Sequence, residues 1–130
     1  MSITLGVVMD PISQIKPEKD TTLAMLLAVQ RRGWEIRYVE LGDILLRDGL
    51  PHAYSQALLV RDSLEDWYEF IDEKRLLPLA ELDVVLMRKD PPFDTEYIYA
   101  TYILEQAQAR GCMVVNDPRA LRDANEKLFT

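Results

Sequence analysis

A chain of 130 residues with 48% hydrophobic and 28% charged side chains is one soluble-type globular domain, long enough for a single core and too short for two. Its formal net charge of −7 and pI near 4.7 argue against a general nucleic-acid or anionic-membrane surface, while leaving room for one local basic pocket. The single cysteine, Cys112, excludes an intrachain disulfide and points to a reducing compartment. With one histidine as well, a Cys/His zinc site within the chain is excluded. No apolar run approaches the ~18 residues of a membrane span, and Met1-Ser2-Ile3-Thr4-Leu5 lacks a basic secretory n-region, so a cytoplasmic address is expected.

In chain order, Ile3 to Met9 is β-branched and apolar and reads as a buried strand ending at Asp10-Pro11. A loop with a second break at Pro17 follows. Asp20 or Thr21 then caps a helix to Arg32, with Leu23, Leu26 and Leu27 on one face and Gly33 as its stop. Trp34 to Val39 is the next strand, which completes a right-handed βαβ unit. Ile44-Leu45-Leu46, the turn Asp48-Gly49, and a second run through Val60 read as a hairpin. Trp67 to Ile71 alternates as an edge strand, although its acidic content also suits a short helix. Pro78 opens a short turn through Leu82.

Val84-Val85-Leu86-Met87 is too short for a helix and suits a strand buried on both faces. It delivers Arg88, Lys89 and Asp90 to the double proline Pro91-Pro92. Asp94 caps the next helix, which carries Glu96 in its first turn and runs to about Arg110 and Gly111. Cys112 to Asn116 reads as another short buried strand. Asn116-Asp117-Pro118 starts a helical turn, and Asp123-Ala124-Asn125-Glu126 has the form of a capping box. Thr130 falls one turn into the helix which that box announces, so the end reads as cut rather than finished. The order β-α-β, hairpin, β-α-β, helix predicts a three-layer α/β/α sandwich with a mixed, mostly parallel sheet and an inserted β-hairpin.

The glycines are too dispersed for a dinucleotide turn or a P-loop, and there is no Gly-x-Ser-x-Gly elbow. A phosphoacceptor receiver wants paired acids after its first strand and a lysine after its last. Asp10 stands alone, and the last strand ends in Asn116-Asp117. His52 reads as a solvated hairpin residue and Cys112 as a small buried hydrophobe. Tyr97, Tyr99 and Tyr102 read as packing or interface residues.

Three polar clusters remain, Met9-Asp10-Pro11, Arg88-Lys89-Asp90 and Asn116-Asp117, each at the carboxyl end of a predicted strand. Parallel strands place all three on the ligand-binding edge of an open α/β sheet. The guanidinium of Arg88 matches a carboxylate or phosphate. It equally suits a structural ion pair with Asp10 or Asp90. Lys89 reads as solvated, and Lys127, taken alone, as a surface lysine.

The segments Val7-Val8-Met9-Asp10-Pro11, Leu86 through Tyr102 (with its Met-Arg-Lys-Asp-Pro-Pro-Phe-Asp run), and Val115-Asn116-Asp117-Pro118 through Leu128 resemble the N-terminal part of bacterial glutathione synthetases. The resemblance spans the whole chain in order. It implies a Rossmann-like pre-ATP-grasp domain over residues 1–122, with 123–130 starting the linker helix into an ATP-grasp domain. It also implies a parent ligase that phosphorylates the γ-glutamylcysteine carboxylate with ATP and lets the glycine amine attack the acyl phosphate. Magnesium is the implied cofactor, with its ligands beyond Thr130, and a homo-oligomer is the implied assembly.

By the same resemblance Lys127, in Asn-Glu-Lys, is an ATP ligand. Arg88 holds a carboxylate of γ-glutamylcysteine, with Asp10 and Asp90 as orienting groups, and no catalytic residue falls within these 130 residues. The expectation is a domain that folds but neither binds ATP tightly nor makes glutathione. A stand-alone α/β binding or interaction module without catalysis is the other reading.

Overall fold

The structure, a computed structural model, describes residues 3–16, 21–63, 65–88 and 94–115. Among these residues eight strands form one mixed sheet flanked by two helices. The strands are β1 (Thr4–Val8), β2 (Glu35–Val39), β3 (Ile44–Arg47), β4 (Leu50–Val60), β5 (Tyr68–Phe70), β6 (Arg75–Pro78), β7 (Val84–Met87) and β8 (Met113–Val115). The helices are α1 (Thr21–Arg31) and α2 (Thr95–Ala109). The order is β3-β4-β2-β1-β7-β8, with β5 and β6 also paired to β4.

The strands β2, β1, β7 and β8 are mutually parallel, with α1 making the crossover from β1 to β2 and α2 the one from β7 to β8. Alternation along β1 separates two cores. Leu5, Val7 and Met9 pack with Leu23 and Leu26 of α1, whereas Val8 packs with Ala100, Ile103, Leu104 and Ala107 of α2. The helices therefore cover opposite faces, giving the expected three layers. Gly6 faces α2, and a Cβ there would lie 2.7 Å from Leu82 Cδ1, so the strand approaches Leu82 more closely than a side chain allows.

The hairpin forms as the Asp-Gly pair dictates. Asp48 and Gly49 have φ of 54° and 76°, the doubly left-handed turn that matches strand twist. What composition did not indicate is how much β4 does. Its first half pairs with β3 on one side and β6 on the other; its second half pairs with β2 and β5. Trp67 to Ile71 indeed supplies a short strand, β5. The strand β6 was not expected: Arg75-Leu76-Leu77-Pro78 has one charged end and one proline end, and only its register with β4 makes it a strand.

A second correction concerns β8, expected to be buried. Among the described strands it is the outer one beside β7; Val114 is buried under α2 while Met113 and Val115 are exposed on the other face.

Two side chains bind the halves of the sheet together. Beyond the last β2 partner, the Val60 backbone of β4 meets the Gln30 amide of α1, which donates to Val60 O at 2.8 Å and accepts from Val60 N at 2.9 Å. One side chain thus stands in for a missing strand neighbour. Arg37 of β2, 1% exposed, donates through Nη1 to Asp72 at 3.0 Å. It also donates through Nε and Nη2 to Ser55 Oγ and O, each at 3.1 Å. A buried guanidinium is tolerated because its donors are met.

Helix α2 begins at Asp94, whose carboxylate accepts from Tyr97 N at 2.9 Å, as the sequence predicts. It ends before Gly111, which has φ of 104°. The predicted cap at Asp20 and the capping box at Asp123 lie outside the described residues.

Candidate functional site

The register Val8↔Met87 brings the carboxyl ends of β1 and β7 side by side. Backbone pairing continues one residue past both strands: Arg88 N donates to Val8 O at 2.7 Å, and Met9 N donates to Val39 O at 3.1 Å. Asp10 and Arg88, both half-buried, therefore emerge from neighbouring strands at one sheet edge. Leu86↔Val115 sets the end of β8 beside them. Asn116 and Asp117, which follow it, lie outside the described residues, as do Asp90, Lys89 and Lys127.

Arg88 shares the sheet face of Leu86, the α1 face, and its Nε donates to Thr22 Oγ1 at 3.3 Å. Thr22 is 2% exposed in the first turn of α1, so the arginine is tethered to the end of a helix whose dipole is positive. Sequence reasoning missed Thr22 because a hydroxyl in a first turn reads as ordinary capping chemistry. A guanidinium has five N–H donors in a rigid fork, and a tether at Nε fixes the plane in which the others lie.

The loop after β1 is held from below. Tyr38 of β2, 5% exposed, accepts from Ile12 N at 3.0 Å and donates to Glu40 Oε2 at 2.5 Å. Burial and the adjacent Glu40 carboxylate push the phenol well above its usual range, so it keeps its proton. Glu40 and Asp43 form a reciprocal cap on the 3-10 turn Leu41–Asp43, and Lys74 meets Asp43 at 2.6 Å. Tyr38 was also missed. Its alternation on β2 gives burial, but only the fold puts its hydroxyl beneath Ile12.

His52 Nδ1 lies 2.9 Å from Leu50 O within the hairpin. Cys112 is buried, with its thiol pushed up to about 11 by desolvation and then by the Asp83 charge, and a thiol that stays protonated is a poor nucleophile. Tyr97 is core, whereas Tyr99 and Tyr102 are exposed. Among the described residues no three His, Cys, Asp or Glu side chains are grouped to hold a metal ion. No described helix is long and apolar enough to cross a membrane.

The family model for the prokaryotic glutathione synthetase N-terminal domain matches residues 3–122. The chain is similar to glutathione synthetase of Yersinia pestis, 59% identical over 128 residues, and of Escherichia coli strain K12, 57% over 128 residues. Each of these alignments covers 98% of this chain and 40% of the relative. Glutathione synthetase of Vibrio vulnificus strain YJ016 is 56% identical over all 130 residues, 41% of its own length. The chain thus spans about two-fifths of the length of the curated relatives it matches. With the family model covering nearly the whole chain, the protein belongs to the family of prokaryotic glutathione synthetase N-terminal domains.

Proposed function

We propose that this domain is the substrate-side wall of an ATP-dependent ligase that joins γ-glutamylcysteine to glycine through an acyl phosphate. The observation that carries the reading is the emergence of Arg88 and Asp10 from adjacent parallel strands at one edge, with Arg88 oriented by Thr22. Open α/β sheets bind ligands at such an edge. In this reading Arg88 grips a carboxylate of the dipeptide by a charge-assisted bond, and Asp10 and Asp90 orient its polar groups. Holding the dipeptide, the acyl donor, in one pose lowers the barrier by converting an encounter into a positioned reaction.

Lys127 contacts ATP where the chain enters the nucleotide-binding lobes. Among the described residues no group of carboxylates fits magnesium. In this reading the metal that neutralises the transferring phosphate takes its ligands from the rest of the parent enzyme. Residues 1–122 form the domain proper and 123–130 the start of the linker. The whole enzyme is a cytoplasmic homo-oligomer in this reading, and this domain by itself makes no glutathione.

The test is Arg88→Ala in the enzyme at the full length of its relatives. Loss of a charge-assisted carboxylate contact should cost about 2 kcal/mol or more in kcat/KM for γ-glutamylcysteine. An unchanged KM and kcat for the dipeptide would overturn the assignment.

A further inference from the structure

We propose that Tyr38 is a positioning residue for the dipeptide site, acting through the loop Asp10-Pro11-Ile12. The inference rests on the reading that Asp10 faces the dipeptide, and goes beyond it by naming what fixes that carboxylate in place.

The geometry is a chain of contacts leading from the sheet to the loop. Met9 N is tied to Val39 O, and two residues past Asp10 the Ile12 N–H is tied to the Tyr38 hydroxyl. The segment carrying Asp10 is thus pinned on both sides, each time to β2. Beyond Ile12 the 3-10 turn Ile12–Gln14 closes on itself, with Gln14 N donating to Pro11 O at 2.9 Å. Proline at position 11 removes one backbone donor and fixes its own φ, which narrows the conformations open to the loop.

The phenol is itself held. Its ring is buried 5.2 Å from the Phe70 ring, and its proton goes to Glu40, whose backbone N–H is bound by Asp43, which in turn meets Lys74. A hydroxyl that keeps its proton throughout the working range serves as acceptor for Ile12 and donor for Glu40 together. A phenylalanine fills the same space and does neither. It leaves the Ile12 N–H in a buried place without this acceptor, and the loop is free to seek another.

The experiment compares Tyr38→Phe, Asp10→Ala and Gln30→Ala in the full-length enzyme, each checked for folding by circular dichroism. Gln30 pins Val60 far along β4 and serves as the control for general loosening of the domain. Tyr38→Phe should raise KM for γ-glutamylcysteine about fivefold or more, with kcat and the KM for ATP held within about twofold. Asp10→Ala should raise the same KM, and Gln30→Ala should lower thermal stability without moving it.

Should Tyr38→Phe fail to fold, Glu40→Ala removes the acceptor that orients the phenol and should give the same split at smaller size. A raised KM for Asp10→Ala with an unchanged KM for Tyr38→Phe, or for Glu40→Ala in its place, would overturn the inference and leave the site reading standing. An unchanged KM for Asp10→Ala would remove the site reading and the inference with it. A KM raised equally by Gln30→Ala would reduce Tyr38 to a structural residue.

Discussion

The parallel strands β2, β1, β7 and β8 and the antiparallel group built on β4 share a sheet but are held by different means. The parallel strands lie between α1 and α2, and apart from Thr4, Glu35 and Arg37 their side chains are apolar. Val7, Leu26 and Leu104 have no measurable exposure. The β4 group relies on specific polar joints: Arg37 with Asp72 and Ser55, Gln30 with the Val60 backbone, and Lys74 with Asp43. Apolar burial is tolerant of detail and strong in sum; polar joints are weaker, and fail one at a time.

The largest effect should come from the helical cover. Leu104 of α2 is completely buried among Val8, Val85, Ile103 and Val114. Leu104→Ala should lower unfolding free energy by about 4 kcal/mol, from lost transfer energy plus a cavity that the rigid sheet cannot close. Urea denaturation followed by circular dichroism measures it. A loss below about 1 kcal/mol would mean that the α2 layer repacks and that the apolar half is the more pliable of the two.

Next comes the joint between the halves. Asp72 lies at the surface end of the Arg37 pair, with its side chain 36% exposed against 2% for the arginine. That asymmetry makes the two deletions unequal. Asp72→Ala leaves the buried guanidinium with the longer, 3.8 Å contact to the exposed Glu35 in place of its 3.0 Å partner and should cost about 3 kcal/mol, whereas Arg37→Met leaves a carboxylate that water can reach and should cost less.

The pH dependence has a definite sign. The Ala57 N–H, bound at 2.7 Å, is the main force holding the Asp72 carboxyl below its usual range, and Arg37 adds to it. A depressed acid stabilises the fold above its unfolded value of about 3.9 and loses that contribution as pH falls through the folded value. Acid titration of wild type against Arg37→Met should therefore differ below about pH 4 and coincide near neutrality once offset. Parallel curves throughout would mean that the guanidinium contributes nothing to the Asp72 titration.

These differences explain what the sequence disclosed. The parallel half was legible because apolar runs, proline stops and glycine ends at Gly33 and Gly111 are local signals. Asp94 and the Asp48-Gly49 turn were legible for the same reason. The strand β6 was not, because four residues with a proline become a strand only beside β4, and neither was the exposed face of β8, since edge position is a property of topology. At the site, Arg88 was visible as a charged residue at a strand end. Thr22 and Tyr38 were not, since their partners lie 66 and 26 residues away in the chain.

The smallest effect should lie at the far tip of the β4 group, where one turn sets the register of β3 on β4. Gly49 has φ of 76° and nothing within 4 Å of where a Cβ would stand, so crowding plays no part. Gly49→Ala therefore isolates the backbone preference of an L-residue held in the left-handed region, a cost of about 1 kcal/mol. Asp48 already occupies that region with φ of 54°, which short polar side chains tolerate, so Gly49→Asn should recover most of the loss. Thermal melts of the three proteins give the ranking directly. If alanine and asparagine cost the same, φ is not what the turn demands, and the hairpin is held by its contacts with α2 rather than by its own residues.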